Sequence, residues 1–241
     1  MKKIKTILFA FLTMGMLTTP VLAQEFGVLN QVADRVSPEG DNAKIVQVIL
    51  AETNEEGQVA FPKYSKTELV EVTASKGTLA GDPEEVEYGD TSYYLATFKE
   101  KGAEVEFTVT LTKEGLYVGK KAKLGDTFPN GAITVEHKVT NTSPNTIGEY
   151  SVTVVAPKGK ELLNIVDYDA EDPYTYAVEE GRPVGGYNFE EVKPGKEVKL
   201  ALNFYAPQKQ HTVLVWVLSA VISVAFMLKN KDLLKGKPAQ E

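Results

Sequence analysis

Alternation of apolar and polar side chains runs through the middle of this chain. In "AEVEFTVTLTKEG" Val105, Phe107, Val109 and Leu111 share one face, with Glu104, Glu106, Thr108 and Thr110 opposite. Period two with one apolar face predicts a strand in a sheet buried on one side. "GAITVEHKVTNTS" repeats the pattern with Ile133, Val135, His137 and Val139 in phase, and "EYSVTVVAPKGKE" with Tyr150, Val152 and Val154. After the Pro-Gly turn of "EVKPGKEVKLALNFYAP", Val198, Leu200, Leu202 and Phe204 form another such row. Further strands are predicted over 44–51, 68–74, 93–98, 162–168, 174–178 and 187–192. About ten short strands broken by Gly, Pro, Asn and Asp predict an all-β, antiparallel sandwich. The polar, glycine-containing stretch 113–130 is the best internal boundary, which favours two packed lobes (42–115 and 130–207) over one large sandwich. Residues 24–41 precede them as an arm: the apolar positions of "FGVLNQVADRV" recur at helical spacing, so it reads as a short helix or as a loose arm.

The two ends carry a different pattern. Thr212 to Leu228 is a run of seventeen residues without a charge, interrupted only by Ser219 and Ser223. As a helix it would reach about 26 Å, near the short limit for a hydrocarbon core of about 30 Å. Serine in such a helix can bond back to its own backbone. The run is expected to cross a membrane once, its eleven strongly apolar residues contributing about −3 to −6 kcal/mol; the competing expectation is a helix docked on a soluble body. Lys229, Lys231, Lys235 and Lys237 follow the run, whereas Lys209 is the one close cation before it. The excess of lysine places the tail, 229–241, in the cytoplasm and the body outside. His211 and Trp216 are expected at or near the headgroup level. "MKKIKTILFAFLTMGMLTTPVLAQ" has a basic start, an apolar stretch from Ile7 to Leu17, and Val21 and Ala23 at a small-residue site, which predicts a signal peptide over 1–23.

Composition narrows the class. Of 26 basic and 33 acidic side chains, setting aside the three leader lysines and the four tail lysines, with Asp232 and Glu241, leaves 19 against 31, a charge near −12 on the exported part. Such a surface repels nucleic acid. With no cysteine there is no disulfide framework, thiolate nucleophile or cysteine metal site. Leader, tail and missing cysteine together predict a prokaryotic cytoplasmic membrane, with the β-rich body on the outer side.

Candidate chemistry is sparse. Neither His137 nor His211 has a partner at ligand spacing, and His137 follows the inward row of its strand, so an inter-sheet histidine is expected there. No nucleophile elbow or phosphate-cradling loop occurs, so no enzyme and no cofactor are predicted. "IVDYDAEDPYTY" sets Asp167, Asp169 and Glu171 at alternate positions beside Asp172. These are candidate calcium ligands, although the tight-turn glycine of an EF-hand loop is missing; the alternative is a solvated acidic loop. Tyr168, Tyr174 and Tyr176 are either a stacking platform for a ligand or filling for a half-buried sheet.

The stretches "ITVEHKVTNTSPNTIGEYSVTVVAPKGKEL" and "EVKPGKEVKLALNFY" resemble the immunoglobulin-like domains of prokaryotic surface proteins, in their Asn-Thr-Ser turn, Pro-x-Gly break and late Lys-Pro-Gly turn. The likeness covers about residues 130–206 and implies a sandwich without implying an active site. "VQVILAETNEEGQVAFP" is similar to the opening hairpin of prealbumin-like extracellular modules. The expected function is that of a non-enzymatic, single-span protein whose body binds an envelope protein partner while the C-terminal helix binds lipid. A module for carbohydrate or calcium is the alternative.

Overall fold

Fourteen strands and one helix account for the described residues, which in this computed structural model are 26–89, 91–121, 132–167, 174–207 and 209–230, without the side chains of 88 and 209–212. In chain order they are β1 (Val28–Glu39), β2 (Asn42–Glu52), β3 (Gln58–Pro62), β4 (Thr67–Lys76), β5 (Glu84–Tyr88), β6 (Thr91–Thr97), β7 (Glu104–Lys113), β8 (Lys120–Lys121), β9 (Ile133–Thr140), β10 (Ile147–Val155), β11 (Glu161–Ile165), β12 (Tyr174–Glu179), β13 (Arg182–Val192), β14 (Glu197–Tyr205) and α1 (Lys209–Lys229). A 3-10 turn over Leu116–Val118 lies between β7 and β8. One seven-stranded sheet runs β12-β13-β10-β1-β2-β7-β4, and two smaller sheets run β11-β14-β9-β8 and β3-β6-β5.

The seven-stranded sheet draws β1, β2, β4 and β7 from the first half of the chain and β10, β12 and β13 from the second. The halves expected as two lobes therefore share a continuous sheet. The join is a parallel pairing, with Val32 opposite Tyr150 and Asp34 opposite Val152. Every other pairing between these strands is antiparallel, so the sheet is mixed rather than purely antiparallel. Side-chain alternation identifies a strand but not its neighbour, which is why this join was invisible in the pattern.

The expected arm at 24–41 is corrected by β1, which lies in the middle of the large sheet. Its inward row is Val32, Asp34 and Val36, so an acidic residue interrupts the apolar alternation. A register shift between Leu29 and Gln31 turns Leu29 inward as well. Leu29 and Val32 thus stand three apart on one face, which imitates helical spacing in a bulged strand.

The core fills the space between the large sheet and the two small ones. Phe61 of β3 meets Phe107 of β7 edge-on at 5.5 Å, and Phe98 meets the same ring at 5.4 Å. Val135, Leu200, Leu202 and Phe204 of the four-stranded sheet are fully buried opposite β10 and β13. Gly185 lets these layers close, since a Cβ there would lie 3.1 Å from Leu202, and Gly186 lets β13 lie against β10 in its own sheet, where a Cβ would lie 2.7 Å from the Val152 carbonyl oxygen. The buried Tyr117 hydroxyl reaches the Val36 and Val155 carbonyl oxygens at 3.0 and 2.8 Å. It thereby ties the ends of the parallel pair β1–β10 from the 3-10 turn.

Among the described residues, helix α1 packs on nothing. Its described side chains are all exposed, with large apolar residues from Val213 to Leu228 between 51% and 73% accessible. Docking on the body, the competing expectation, does not occur. Ser223 returns its hydroxyl to the Ser219 carbonyl at 2.8 Å, as an isolated serine in an apolar helix does. Among the described residues no helix is long and apolar enough to cross a membrane; the described charge-free side chains run from Val213 to Leu228, about 24 Å at 1.5 Å per residue. The leader with its Ala23 site, and Lys231 in the tail, lie outside the described residues.

Candidate functional site

Between the large sheet and the smaller ones, four strands each place a polar residue in an otherwise apolar inward row. Asp34 stands between Val32 and Val36, Gln47 between Ile45 and Ile49, His137 between Val135 and Val139, and Tyr150 beside Val152. Tyr64, from the β3–β4 connection, joins them. All five are almost completely buried. The Asp34 carboxylate is the hub. Its Oδ2 accepts from the Tyr150 hydroxyl at 2.8 Å and lies 3.3 Å from His137 Nε2, while Oδ1 accepts from Gln47 Nε2 at 3.0 Å. Gln47 Nε2 also reaches the Tyr64 hydroxyl at 2.5 Å, and the Tyr64 and His137 rings meet edge-on at 6.0 Å. The large sheet supplies Asp34, Gln47 and Tyr150, the four-stranded sheet His137, and Tyr64 leaves the three-stranded sheet.

A carboxylate removed from water is costly unless donors replace the lost hydration. Here two oxygens receive donors from three elements. Burial first, and then the Asp34 charge, push the Tyr64 and Tyr150 phenols well above the ordinary tyrosine range, so both stay protonated. Burial also raises Tyr117, against the pull of Arg182 and Arg35. Among the described residues, Gln47 Oε1 and His137 Nδ1 are buried side-chain atoms without a hydrogen-bond partner. Sealed from solvent, the cluster offers no substrate a route to His137. Its geometry is that of a polar pin between layers.

Above Tyr64 the two small sheets leave a gap because they do not pair with one another. It opens as a cleft of about 640 Å³ bordered by Lys63, Lys66, Lys113 and Lys138, with Tyr64 and Thr142 among its walls. One wall is stitched by the Lys63 N–H donating to Thr142 Oγ1 at 3.0 Å. Thr67 pairs with Lys113 across β4 and β7, which sets Lys66 beside Lys113. Lys63 is paired with Glu85, and Lys138 with Glu197 at 2.7 Å. Among the described residues neither Lys66 nor Lys113 has a carboxylate within ion-pair distance. Burial, and then the Lys66 charge, draw the Lys113 ammonium below the ordinary lysine range, with Glu136 resisting.

The residues singled out in the sequence do not converge. Asp167 is bound by Lys199 at 2.8 Å and adopts a left-handed φ of 63°. Asp169, Glu171, Asp172 and Tyr168 lie outside the described residues. Among the described residues no three His, Asp or Glu side chains are grouped to hold a metal ion. Tyr174 and Tyr176 are exposed on β12, an outer strand of the large sheet, and so do not fill a half-buried surface. His211 lies in the first turn of α1 with its side chain outside the described residues, and Trp216 and Lys229 are exposed on that helix. Asn141, the first residue of the Asn-Thr-Ser triplet, is sealed inside, its amide donating to the Asn145 and Val192 carbonyls at 2.8 Å each. The pin and the cleft were missed, although the inward polar positions were a readable signal for the pin.

No family model matches the chain, and no curated protein does. Among solved structures it is similar to an M1 zinc metallopeptidase from Deinococcus radiodurans, at 8% identity and a TM-score of 0.44, over 76% of this chain and 43% of that one. A putative nutrient binding protein from Legionella pneumophila is similar at 10% identity and a TM-score of 0.43, over 73% of this chain and 67% of that one. The chain thus spans less than half of the peptidase it resembles. Likenesses this distant fix neither fold family nor activity.

The buried phenols give a signed pH dependence. Their folded-state values lie above the unfolded value near 10, so the native state holds protons that the unfolded chain releases above that pH. The stability linked to Tyr64, Tyr117 and Tyr150 is fully present below about pH 10. It falls beyond that by about 4 kcal/mol per pH unit if all three retain their protons. Denaturant midpoints measured at pH 9, 10 and 11 should drop steeply over the last step; a flat profile would show that the phenols ionise as readily folded as unfolded.

Proposed function

We propose that this chain is a non-enzymatic, membrane-anchored β-sandwich protein. Its body is held at the outer face of a prokaryotic cytoplasmic membrane by α1, and it works by protein–protein contact in an envelope complex. The observation that carries this reading is the helix itself, whose apolar side chains from Val213 to Leu228 are all exposed while the β-rich body has its own filled core. Water would charge such a surface heavily: fully exposing one large aliphatic side chain forgoes about 1.5–3 kcal/mol. A bilayer removes that cost. The described run is short for a span, but taken from Thr212 it has seventeen residues, the lower limit for crossing, and flanking lysines reach out to headgroups. Division of the second half between two facing sheets, β10, β12 and β13 against β9, β11 and β14, supports the immunoglobulin-like likeness at the level of layers.

The outer strands of the large sheet differ in a way that favours a partner. On β4, Glu68, Glu71 and Lys76 and two register shifts blunt the edge, as proteins do to avoid unwanted pairing. On β12, Tyr174, Tyr176 and Val178 are exposed, and its pairing with β13 runs without a shift. Tyr176 and Val178 line a groove with Pro183 and Pro207. Pro207 closes the body just before α1, so this edge sits at the membrane-proximal end. An open strand there suits an added strand from another envelope protein.

Alkaline carbonate should leave the full-length protein in the membrane pellet, and protease added to spheroplasts should digest the body. Val217→Lys with Val221→Lys, each costing about 3 kcal/mol at a helix centre, should release it. A wild-type protein that washes off removes the anchor.

A photocrosslinker at Tyr176 should yield a discrete adduct in native membranes that is lost with Tyr174→Ser and Val178→Ser, whereas one at Glu71 should not. Equal adducts at both outer strands would remove β12 as the contact.

A further inference from the structure

Four lysines around one cleft are unexpected on a body whose charge is near −12, and they are held there at a cost. Lys66 adopts a left-handed backbone, φ 59°, a conformation that a side chain with a Cβ resists by roughly 1–2 kcal/mol. The turn is closed by the Thr67 hydroxyl donating to the Tyr64 carbonyl at 2.8 Å. Tyr64 is fixed from below through Gln47 to the Asp34 pin. Lys113, the last residue of β7, is part-buried beside Lys66 at the border of the cleft, and is less easily charged there than in water. Folding alone gains little from setting two ammoniums side by side, one exposed and the other partly desolvated, with Glu136 acting on Lys113 only from beyond ion-pair distance. A pair of glutamines would do the same packing without repulsion. The rim differs, since Lys63 and Lys138 are already neutralised by Glu85 and Glu197.

We propose that the cleft between the two small sheets binds a small multivalent oxyanion, a ligand bearing two or more phosphate or carboxylate groups, with Lys66 and Lys113 as its principal contacts. The cleft's volume of about 640 Å³ is in the range of small-molecule sites. Ser65 and Thr140, also at its border, supply hydroxyls that can donate to oxyanions. The acidic exterior excludes anionic polymers by long-range repulsion, yet a short ligand inside the cleft meets the local positive field, because screening confines each field to about 8–10 Å at ordinary ionic strength. The ligand would relieve the repulsion between Lys66 and Lys113, so binding and local strain relief act together.

The site stands apart from the anchor and from the β12 edge, so its test is independent of both. Full-length protein in detergent micelles is titrated calorimetrically with inorganic pyrophosphate and, separately, with citrate. Saturable binding of one probe is expected, weakening as salt is raised, and the probe that binds identifies phosphate or carboxylate as the recognised group. Lys66→Gln and Lys113→Gln should each lower affinity about tenfold and the double variant further, while Lys44→Gln, on the exposed face of β2, should not. Without ligand, Lys113→Gln should melt no lower than wild type, which separates a lost contact from a lost fold. Absence of saturable heat with both probes, or variants that bind as the wild type does, overturns the proposal.

Discussion

A single carboxylate, Asp34, sits where three sheets meet and is satisfied only when all three are in place. Tyr150 and Gln47 reach it from the strands flanking its own, His137 from the facing sheet, and Tyr64 closes on Gln47 from the connection leaving the third. Hydrophobic burial drives the layers together but does not specify their register, because apolar rows slide at little cost. A buried charge with few acceptable donors is far less tolerant. Slipping β1 by one residue against β10 would turn Asp34 outward and leave Tyr150 and Gln47 searching for a partner in a dry core. Registry among these sheets therefore follows from a polar contact, within a core whose stability is apolar.

The same arrangement positions everything that faces outward. Because β1 pairs with β10 across the two halves, the large sheet is continuous, and its outer strands fall at opposite ends, a charged and bulged β4 and an open β12. Because the opposing layer is made of two sheets that do not join, a cleft remains between them, with Tyr64 as both its wall and a member of the pin. Rigidity below is what permits a strained Lys66 above. The last strand, β14, is an inner strand of the four-stranded sheet and precedes Pro207 and α1, so the proposed anchor follows from an element fixed in the body.

Much of this was written in the side-chain pattern. The strict alternation of β7, β9 and β14 located those strands and their inward faces, and even His137 was placed correctly between sheets. Where the pattern failed, the cause is physical. β1 carries an acid in its inward row and a bulge at its start, so its apolar residues fall at helical spacing. β3 and β5 are five residues each, too short to display a period. Pairing across 118 positions, as between Leu29 and Ile147 of β10, depends on the closed core and not on local preference. The lysine cleft was invisible for a related reason: its residues come from four separate segments, and a net charge averages them away beneath an acidic surface.

Native-state hydrogen exchange on the full-length protein, comparing the wild type with Asp34→Asn, addresses the central claim most directly, that one buried carboxylate joins both halves of the chain into one cooperative body. Amides of β2 and β7 in the first half, and of β10 and β13 in the second, should share a common opening free energy and lose protection together, by about 100-fold or more. If one half loosens while the other keeps its protection, or if neither responds, the halves are separate folding units and the pin is an ornament of the core.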